Sequence, residues 1–153
     1  MNTDQLERII SSQVIKSRKV KFLGVFPHDH TQFLVANTLA AHTFPICFLS
    51  NTQPSTKSGE HWVAFYYSSE HSPEFFDSYG LHPSVYEFNF TPKIYNKRCL
   101  QKLDSNVCGQ YCVYFLYQRV RGKSLQEIVA PFSLDDRSWN DSQVARFVSR
   151  LSR

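Results

Sequence analysis

The chain has 153 residues, of which 42% are hydrophobic and 20% are charged. This composition excludes a disordered chain and supplies enough apolar surface for one packed core, so we expect a single domain over residues 1–153. No apolar run approaches the roughly 18 residues that cross a bilayer, and we expect no membrane partner.

The charge of the chain is mildly basic. Seventeen lysines and arginines against thirteen aspartates and glutamates give a net charge of +4. This balance permits contact with a polyanion without establishing it, because nucleic-acid-binding proteins gather their charge on one element. Two clusters are candidates for such a contact or for an ordinary solvated surface. They are Lys16, Arg18, Lys19 and Lys21, and Lys93, Lys97, Arg98 and Lys102.

The first third of the chain predicts helices and short strands. Apolar residues at helical spacing over residues 4–16 predict an N-terminal amphipathic helix that begins at the Asp4-x-x-Glu7 pattern. Beyond it, short apolar runs are separated by helical and polar segments. We predict a strand over 22–27, a helix over 32–42 that ends before Pro45, a strand over 44–49 and an exposed loop over 51–59.

The segments 61–67 and 74–80 are rich in aromatic and β-branched residues and predict a β-hairpin. Antiparallel pairing places the start of the first strand beside the end of the second, so we expect His61 to approach Asp77. The two residues would pair directly in one register, and a slip of one or two residues would leave them diagonal neighbours. Alternation of apolar and polar residues over 85–90 predicts a third strand.

The last third of the chain predicts three helices. A segment over 107–119 that is apolar nearly all round predicts a helix in the middle of the domain. Ser124-x-x-Glu127 is a capping-box pattern that opens a short helix ending at Pro131. Apolar residues at helical spacing then predict a C-terminal amphipathic helix. They are Val144, Phe147, Val148 and Leu151, with Arg146, Arg150 and Arg153 on the outer face.

The chain has four cysteines, which we interpret as free thiols because no secretory context is recognisable. Cys108 opens the predicted buried helix, where unpaired backbone N–H groups and the helix dipole favour a thiolate. A buried structural thiol is the alternative, and it is the preferred interpretation of Cys112. The spacing of Cys99, Cys108 and Cys112 lacks the close Cys-x2-Cys pairs of structural zinc sites, so no metal site is predicted.

Three further residues favour a catalytic interpretation of Cys108. His61 would be the base that pairs with the thiolate and later protonates the leaving amine. Asp77 would fix the tautomer of His61 through its other ring nitrogen. Gln101 lies seven residues before Cys108. Its side-chain NH2 and the backbone N–H of Cys108 would form an oxyanion hole.

Two neighbours of these residues are predicted to shape a substrate cleft. Gly109 removes a side chain beside the sulfur and would let an extended substrate backbone approach. Trp62 would cover the catalytic pair as a cleft wall, although a tryptophan in a strand is more often a core residue.

In this order, the residues resemble the adenovirus-type (adenain-like) cysteine endopeptidases and the similar maturation proteases of Polinton/Maverick-type elements and virophages. The resemblance covers roughly residues 20–120 and rests on ordered segments rather than on any single motif. These are Gly59-Glu60-His61-Trp62-Val63-Ala64-Phe65, Phe75-Phe76-Asp77-Ser78-Tyr79-Gly80, and Gln101 followed by Asn106-Val107-Cys108-Gly109-Gln110-Tyr111-Cys112, with Phe22-Leu23-Gly24 and Asp29 upstream.

The resemblance implies an α+β, papain-like fold in which a central mixed or antiparallel sheet packs on a buried helix that bears the nucleophile. It implies that Cys108 is the nucleophile, His61 the general base and acid, Asp77 its orienting carboxylate and Gln101 the oxyanion donor.

The implied enzyme is a thiol protease that cuts capsid or core precursor proteins after small residues such as glycine during virion maturation. Its expected locations are the host nucleus or a cytoplasmic assembly site, and the virion. The chemistry requires no cofactor and no metal, and DNA is the candidate activator and second partner.

One departure from the resemblance keeps a second enzyme class open. The adenovirus enzymes use Glu where this chain has Asp77, whereas proteases that process or deconjugate ubiquitin-like (SUMO-type) proteins use Asp in the same order and cut after Gly-Gly. The small size of the chain and its Cys108–Cys112 run favour the maturation protease. A binding module without activity is a third class, and the presence of all four catalytic residue types argues against it.

Overall fold

A computed structural model describes residues 1–56 and 61–152, which form a five-stranded sheet covered by helices on both faces. The strands lie in chain order across the sheet. They are β1 (Lys21–Phe26), β2 (Ile46–Asn51), β3 (Trp62–Tyr67), β4 (Pro73–Phe76) and β5 (Ile94–Tyr95). β1 is parallel to β2, and β4 is parallel to β5. The central strand β3 is antiparallel to both of its neighbours, β2 and β4. The expected mixed sheet is confirmed.

Five α-helices accompany the sheet. They are α1 (Thr3–Ile9), α2 (His28–Phe33), α3 (Cys108–Val120), α4 (Leu125–Val129) and α5 (Arg137–Leu151). α1 continues into a π-helical turn over Ile10–Val14, and α2 into one over Leu34–Thr38. Within the described residues, no helix is long and apolar enough to cross a bilayer.

The central strands are buried on both faces because their side chains alternate between two hydrophobic clusters. On β2, Cys47 and Leu49 join the cluster formed with α1, α3 and α5, whereas Ile46 and Phe48 join the cluster on the opposite face. This arrangement explains why β2 and β3 are nearly continuous apolar runs.

α3 is the predicted buried helix and packs against β3. Phe115 is fully buried and stacks on Phe76 of β4 with ring centroids 4.7 Å apart. Near the end of the helix, Arg119 donates two hydrogen bonds of 2.9 Å to the buried carboxylate of Glu74. Each fully buried phenylalanine contributes about 2 kcal/mol, so α3, which begins at Cys108, is held firmly against the sheet.

Two predicted boundaries differ from the structure. α1 begins after Asn2, whose side chain and that of Gln5 form a reciprocal capping box, so the Asp4-x-x-Glu7 pattern is not the start signal. The helix predicted over 32–42 begins earlier, at His28, because Pro27 ends β1 and stands as the N-cap residue.

The strand predicted over residues 85–90 is wrong. Pro83–Tyr86 form a 3-10 helix, for which Pro83 supplies a suitable backbone angle and His82 accepts a hydrogen bond from the N–H of Ser84. The apolar alternation has another cause, since Phe88 is buried in the second cluster and Phe90 packs against it.

The capping box of α4 and the C-terminal helix are as predicted, and so is the pairing of β3 with β4 in a hairpin. The second strand, predicted over 74–80, ends earlier, at Phe76. The predicted loop over 51–59 is described only as far as residue 56, and residues 57–60 and Arg153 lie outside the described residues. That residues 1–153 form one domain stays a prediction.

The two basic clusters have different surroundings. Lys16, Arg18 and Lys19 are exposed. In the second cluster, the guanidinium of Arg98 donates hydrogen bonds to the backbone carbonyls of Val129 and Phe132, so this cation ties the segment after β5 to α4.

Candidate active site

The hairpin register makes His61 and Asp77 diagonal neighbours. Ala64 pairs with Phe76 at the end of the ladder, and continuing this register by one residue places Asp77 opposite Val63. His61, which directly precedes β3, donates from Nε2 to Oδ1 of Asp77 at 2.6 Å. The predicted approach of the two residues is confirmed.

Asp77 is fully buried and accepts three more hydrogen bonds. The backbone N–H of Tyr79 donates to Oδ1 at 3.1 Å and that of Leu81 to Oδ2 at 3.2 Å. The hydroxyl of Tyr86 donates to Oδ2 at 2.6 Å. Four donors therefore fix both carboxylate oxygens, which sets the plane in which His61 is held.

The turn that carries Asp77 depends on a glycine. Gly80 has φ +74°, and a Cβ atom there would lie 2.5 Å from the backbone of Arg98. The carbonyl of Asp77 also accepts a hydrogen bond of 2.7 Å from Nδ2 of Asn96. The turn is thus pressed against the segment after β5, and a larger residue at Gly80 would displace Asp77.

Cys108 is the first residue of α3. The N-cap residue Val107 makes no side-chain hydrogen bond, so the first-turn N–H groups remain available. The imidazole of His61 and the backbone N–H groups of Trp62 and Gly109 lie close enough to the sulfur to lower its pKa. Because Nε2 of His61 is bound to Asp77, Nδ1 is the ring nitrogen left to interact with the sulfur.

These contacts favour an ion pair of thiolate and imidazolium. Burial alone would raise the pKa of Cys108, but the hydrogen bond and charge of His61, with the two backbone N–H groups, lower it. Burial alone would lower the pKa of His61, but its hydrogen bonds to Asp77 and Cys108 and their charges raise it to about 9. Part of both shifts has one origin, since the thiolate and the imidazolium stabilise each other, and Asp77 raises the pKa of His61 further.

The pKa values of the other two buried cysteines, Cys47 and Cys112, are shifted in the opposite direction. Burial raises the pKa of Cys47 to about 12 and that of Cys112 well above the ordinary thiol value. All four cysteines are free thiols. In the part of the chain that the structure describes, no three His, Cys, Asp or Glu side chains are grouped so that they could hold a metal ion.

His61 and Cys108 line a cleft of about 890 Å³. α2 binds two segments that line it. The carboxylate of Asp29 accepts hydrogen bonds from the N–H and hydroxyl of Ser55 in the loop after β2. Nε2 of His28 lies 2.7 Å from the carbonyl of Tyr86. These two segments form two walls of the cleft, and the distance between them therefore depends on α2.

Trp62 lines the cleft as predicted, and its indole N–H donates to the carbonyl of Met1 at 3.1 Å. A Cβ atom at Gly109 would lie 3.3 Å from Leu6, 3.4 Å from Met1 and 3.5 Å from Trp62. The missing side chain therefore makes room for the N-terminal segment beside the cleft, and the role of Gly109 in admitting a substrate backbone stays a prediction.

Gln101 is fully buried beside the cleft, where it is held at both ends of its amide. Its Oε1 accepts a hydrogen bond of 2.6 Å from the hydroxyl of Ser78. Its Nε2 donates to the carbonyl and the hydroxyl of Ser105, both at 3.1 Å, and Ser105 lines the cleft. The oxyanion role of Gln101 stays a prediction, and it requires Nε2 to exchange Ser105 for substrate.

Two tyrosines that were not predicted as site residues lie beside His61. Tyr79 stacks on His61 with ring centroids 4.7 Å apart, and the ring of Tyr86 lies at 5.7 Å. The electron-rich face of a tyrosine ring attracts a neighbouring cation, so these rings would stabilise the charged form of His61. Tyr86 was missed because its segment was predicted as a strand, although Pro83 was the available signal for a helical turn.

Comparisons with known proteins show the fold but not the function. No family model matches the sequence, and no curated protein matches it. The chain is similar to the central domain of the uncharacterized Lpg1148 protein from Legionella pneumophila, with 15% identity, a TM-score of 0.58, and coverage of 99% of this chain and 97% of that chain. A weaker likeness is to the ASFV pS273R protease, with 21% identity, a TM-score of 0.42, and coverage of 62% of this chain and 41% of that chain.

Proposed function

We propose that this chain is an adenain-like cysteine endopeptidase that cleaves capsid or core precursors of a virus or virus-like element. The observation that carries the proposal is the connected series of buried Asp77, His61 and Cys108, of which His61 and Cys108 line the cleft. The cleft volume lies toward the upper end of the range of about 300–1,000 Å³ for ligand sites. A polypeptide segment is therefore a suitable occupant.

In the first half of the reaction, the Cys108 thiolate attacks the scissile carbonyl carbon and the C=O electron pair moves to oxygen. The backbone N–H of Cys108, at the uncapped start of α3, is placed to stabilise that oxyanion. The His61 imidazolium then gives its proton to the leaving amine as the C–N bond breaks, which leaves a thioester.

In the second half, neutral His61 takes a proton from water while the water oxygen attacks the thioester carbonyl. The carbon–sulfur bond breaks, the acid product leaves, and the thiolate and imidazolium are restored. Asp77 holds the ring orientation through both halves because it is bound to Nε2 throughout.

The surroundings of the sulfur support cleavage after small residues such as glycine. Cys108 is only 8% exposed, and the aromatic rings of Trp62 and Tyr79 line the same cleft. A residue with little or no side chain is best able to bring its carbonyl carbon to a sulfur in this position.

A protease for ubiquitin-like proteins is the second candidate, and the identity of the acid favours it. Asp77 reaches His61 at 2.6 Å despite its short side chain. Cleavage of a ubiquitin-like precursor, with viral capsid precursors left intact, would select this candidate. The reverse result would select the maturation protease.

Alkylation of the purified protein by iodoacetamide tests the central claim. At about pH 6 an ordinary thiol is almost wholly protonated, so we expect label at Cys108 and none at the buried Cys47 and Cys112. Mass spectrometry after digestion measures the extent at each cysteine. The matched control is His61→Ala, in which the selective labelling of Cys108 should be lost.

Equal reaction of all four thiols, appearing only near pH 8.5, would contradict an assembled thiolate site. The experiment is then repeated with duplex DNA, the candidate activator. Selective labelling that returns with DNA would show that the site assembles on the activator, and its continued absence would reject the proposal.

Tyr86→Phe is expected to slow this alkylation and peptide turnover about tenfold, because one strong hydrogen bond to the Asp77 carboxylate is lost while the ring is kept. The control is Tyr79→Phe, whose hydroxyl makes only a 3.5 Å contact with the carbonyl of Leu103. Equal rates for the wild type and both variants would show that the hydroxyl of Tyr86 does not position Asp77.

A further inference from the structure

Glu87 lines the cleft but takes no part in the proposed catalytic chemistry. Among the described residues that line the cleft, it is the only one with a carboxylate, and none is a lysine or arginine. Its side chain is exposed, and within the described part of the chain its carboxylate has no hydrogen-bond or ion-pair partner.

The backbone of Glu87 is held in a conformation that glycine prefers. Its φ is +62°, and this left-handed region costs a residue with a Cβ atom about 1 kcal/mol or more. The N–H of Glu87 donates to Ser84, and its carbonyl accepts a hydrogen bond of 2.9 Å from Nε2 of Gln32 on α2. A strained position that carries a long charged side chain toward a cleft suggests that the side chain has a use.

An exposed apolar side chain accompanies this carboxylate in the cleft. Val85 is 57% exposed and lines the same cleft two residues before Glu87. Lysine and arginine side chains combine an aliphatic stem with a terminal charge, and they commonly lay the stem on apolar surface. Val85 therefore matches the aliphatic stem of a lysine or arginine side chain, and the Glu87 carboxylate matches its terminal charge.

We propose that Glu87 is a specificity-determining residue that selects polypeptide substrates with a lysine or arginine near the scissile bond. The stem of that residue crosses Val85 and its charge pairs with the Glu87 carboxylate. The inference rests on the proposed peptidase function, because it requires a peptide in this cleft. Glu87 would thus give a local preference for basic residues, whereas the net charge of +4 by itself would repel them.

The test uses reactive peptides, so that no natural substrate has to be known. Iodoacetyl peptides are prepared in matched pairs that end in lysine amide or glutamate amide, with none to three glycines as spacers. The rate of alkylation at Cys108 is followed by mass spectrometry. For the best spacer, we expect the lysine peptide to react about fivefold faster than the glutamate peptide, the upper limit for an exposed ion pair.

Three variants separate a local contact from a general charge effect. Glu87→Gln should abolish the preference, and Glu87→Lys should invert it. Glu70→Gln removes the same charge from the exposed hairpin loop and should keep the preference. In wild type, the preference should also fall in 1 M salt, where the screening length is about 3 Å.

The outcomes distinguish this inference from the function on which it rests. A preference that survives Glu87→Gln, or that is lost equally in Glu70→Gln, overturns the role of Glu87 and leaves the peptidase proposal intact. Alkylation of Cys108 that is unaffected by His61→Ala overturns the peptidase proposal, and the substrate preference falls with it.

Discussion

Cys108→Ala is expected to lose all measurable peptidase activity, a loss on the order of 10⁶-fold in kcat as for other nucleophile deletions. Without the sulfur, the acyl intermediate cannot form, and His61 has no thiolate with which to form an ion pair. The fold should be retained, because Cys108 lies at the cleft and water can fill the space of the lost atom. Turnover of glycine-containing peptides and thermal unfolding of the same preparation measure the two effects.

Cys112→Ala is the matched control for this experiment. Cys112 lies one helical turn further along α3 and is 1% exposed in the main core. Its removal should leave activity largely intact but lower the free energy of unfolding by about 1–2 kcal/mol, because it opens a small cavity. Peptidase activity that persists in Cys108→Ala would show that another residue is the nucleophile.

Asp77→Asn is expected to lower kcat/KM by about 10²- to 10⁴-fold, the range for general acid and base groups. Four donors, from His61, Tyr79, Leu81 and Tyr86, point at the carboxylate oxygens. An asparagine offers a single acceptor oxygen, so its NH2 group must face at least one of those donors.

The same substitution should shift the pH profile in a defined direction. In the wild type, the lowered pKa of Cys108 keeps the sulfur charged down to a lower pH than an ordinary thiol, and the raised pKa of His61 keeps the ring charged up to about pH 9. The ion pair exists between these two values, which predicts a bell-shaped profile of kcat/KM. Loss of the Asp77 charge lowers the pKa of His61, so the alkaline limb should move to lower pH.

Asp141→Asn is the control for the pH profile. Asp141 also accepts a tyrosine hydroxyl, that of Tyr111 at 2.7 Å, but it lies on α5. Both limbs should stay in place in this variant. An alkaline limb unmoved by Asp77→Asn would mean that Asp77 does not set the protonation of His61.

Features that depend on neighbouring residues in sequence were predictable. The capping box at Ser124 and Glu127 is local, and so is the apolar pattern of α3. The approach of His61 and Asp77 needed only a hairpin whose two strands are close in sequence. The nucleophile, base and acid could be proposed because each lies at the end of such an element.

Features that depend on distant packing were not predictable. Nothing in the residues around Gly109 shows that Met1 and Leu6 pack over it, more than 100 residues away in sequence. The hydroxyl of Tyr86 reaches Asp77 only because residues 83–86 turn as a 3-10 helix over the second hydrophobic cluster. The hydrogen bond from the hydroxyl of Ser78 to Gln101 likewise joins residues that lie 23 positions apart.

The hydrogen bonds of α2 bear on how the substrate range could be engineered. Through Asp29 and His28, this six-residue helix is bound to the loop after β2 and to the 3-10 helix that carries Tyr86. Replacing residues that touch the peptide would alter local contacts but leave the separation of the walls unchanged. A library meant to admit bulkier residues is therefore better placed at Asp29 and Gln32, which do not line the cleft but hydrogen-bond to the two segments that form its walls.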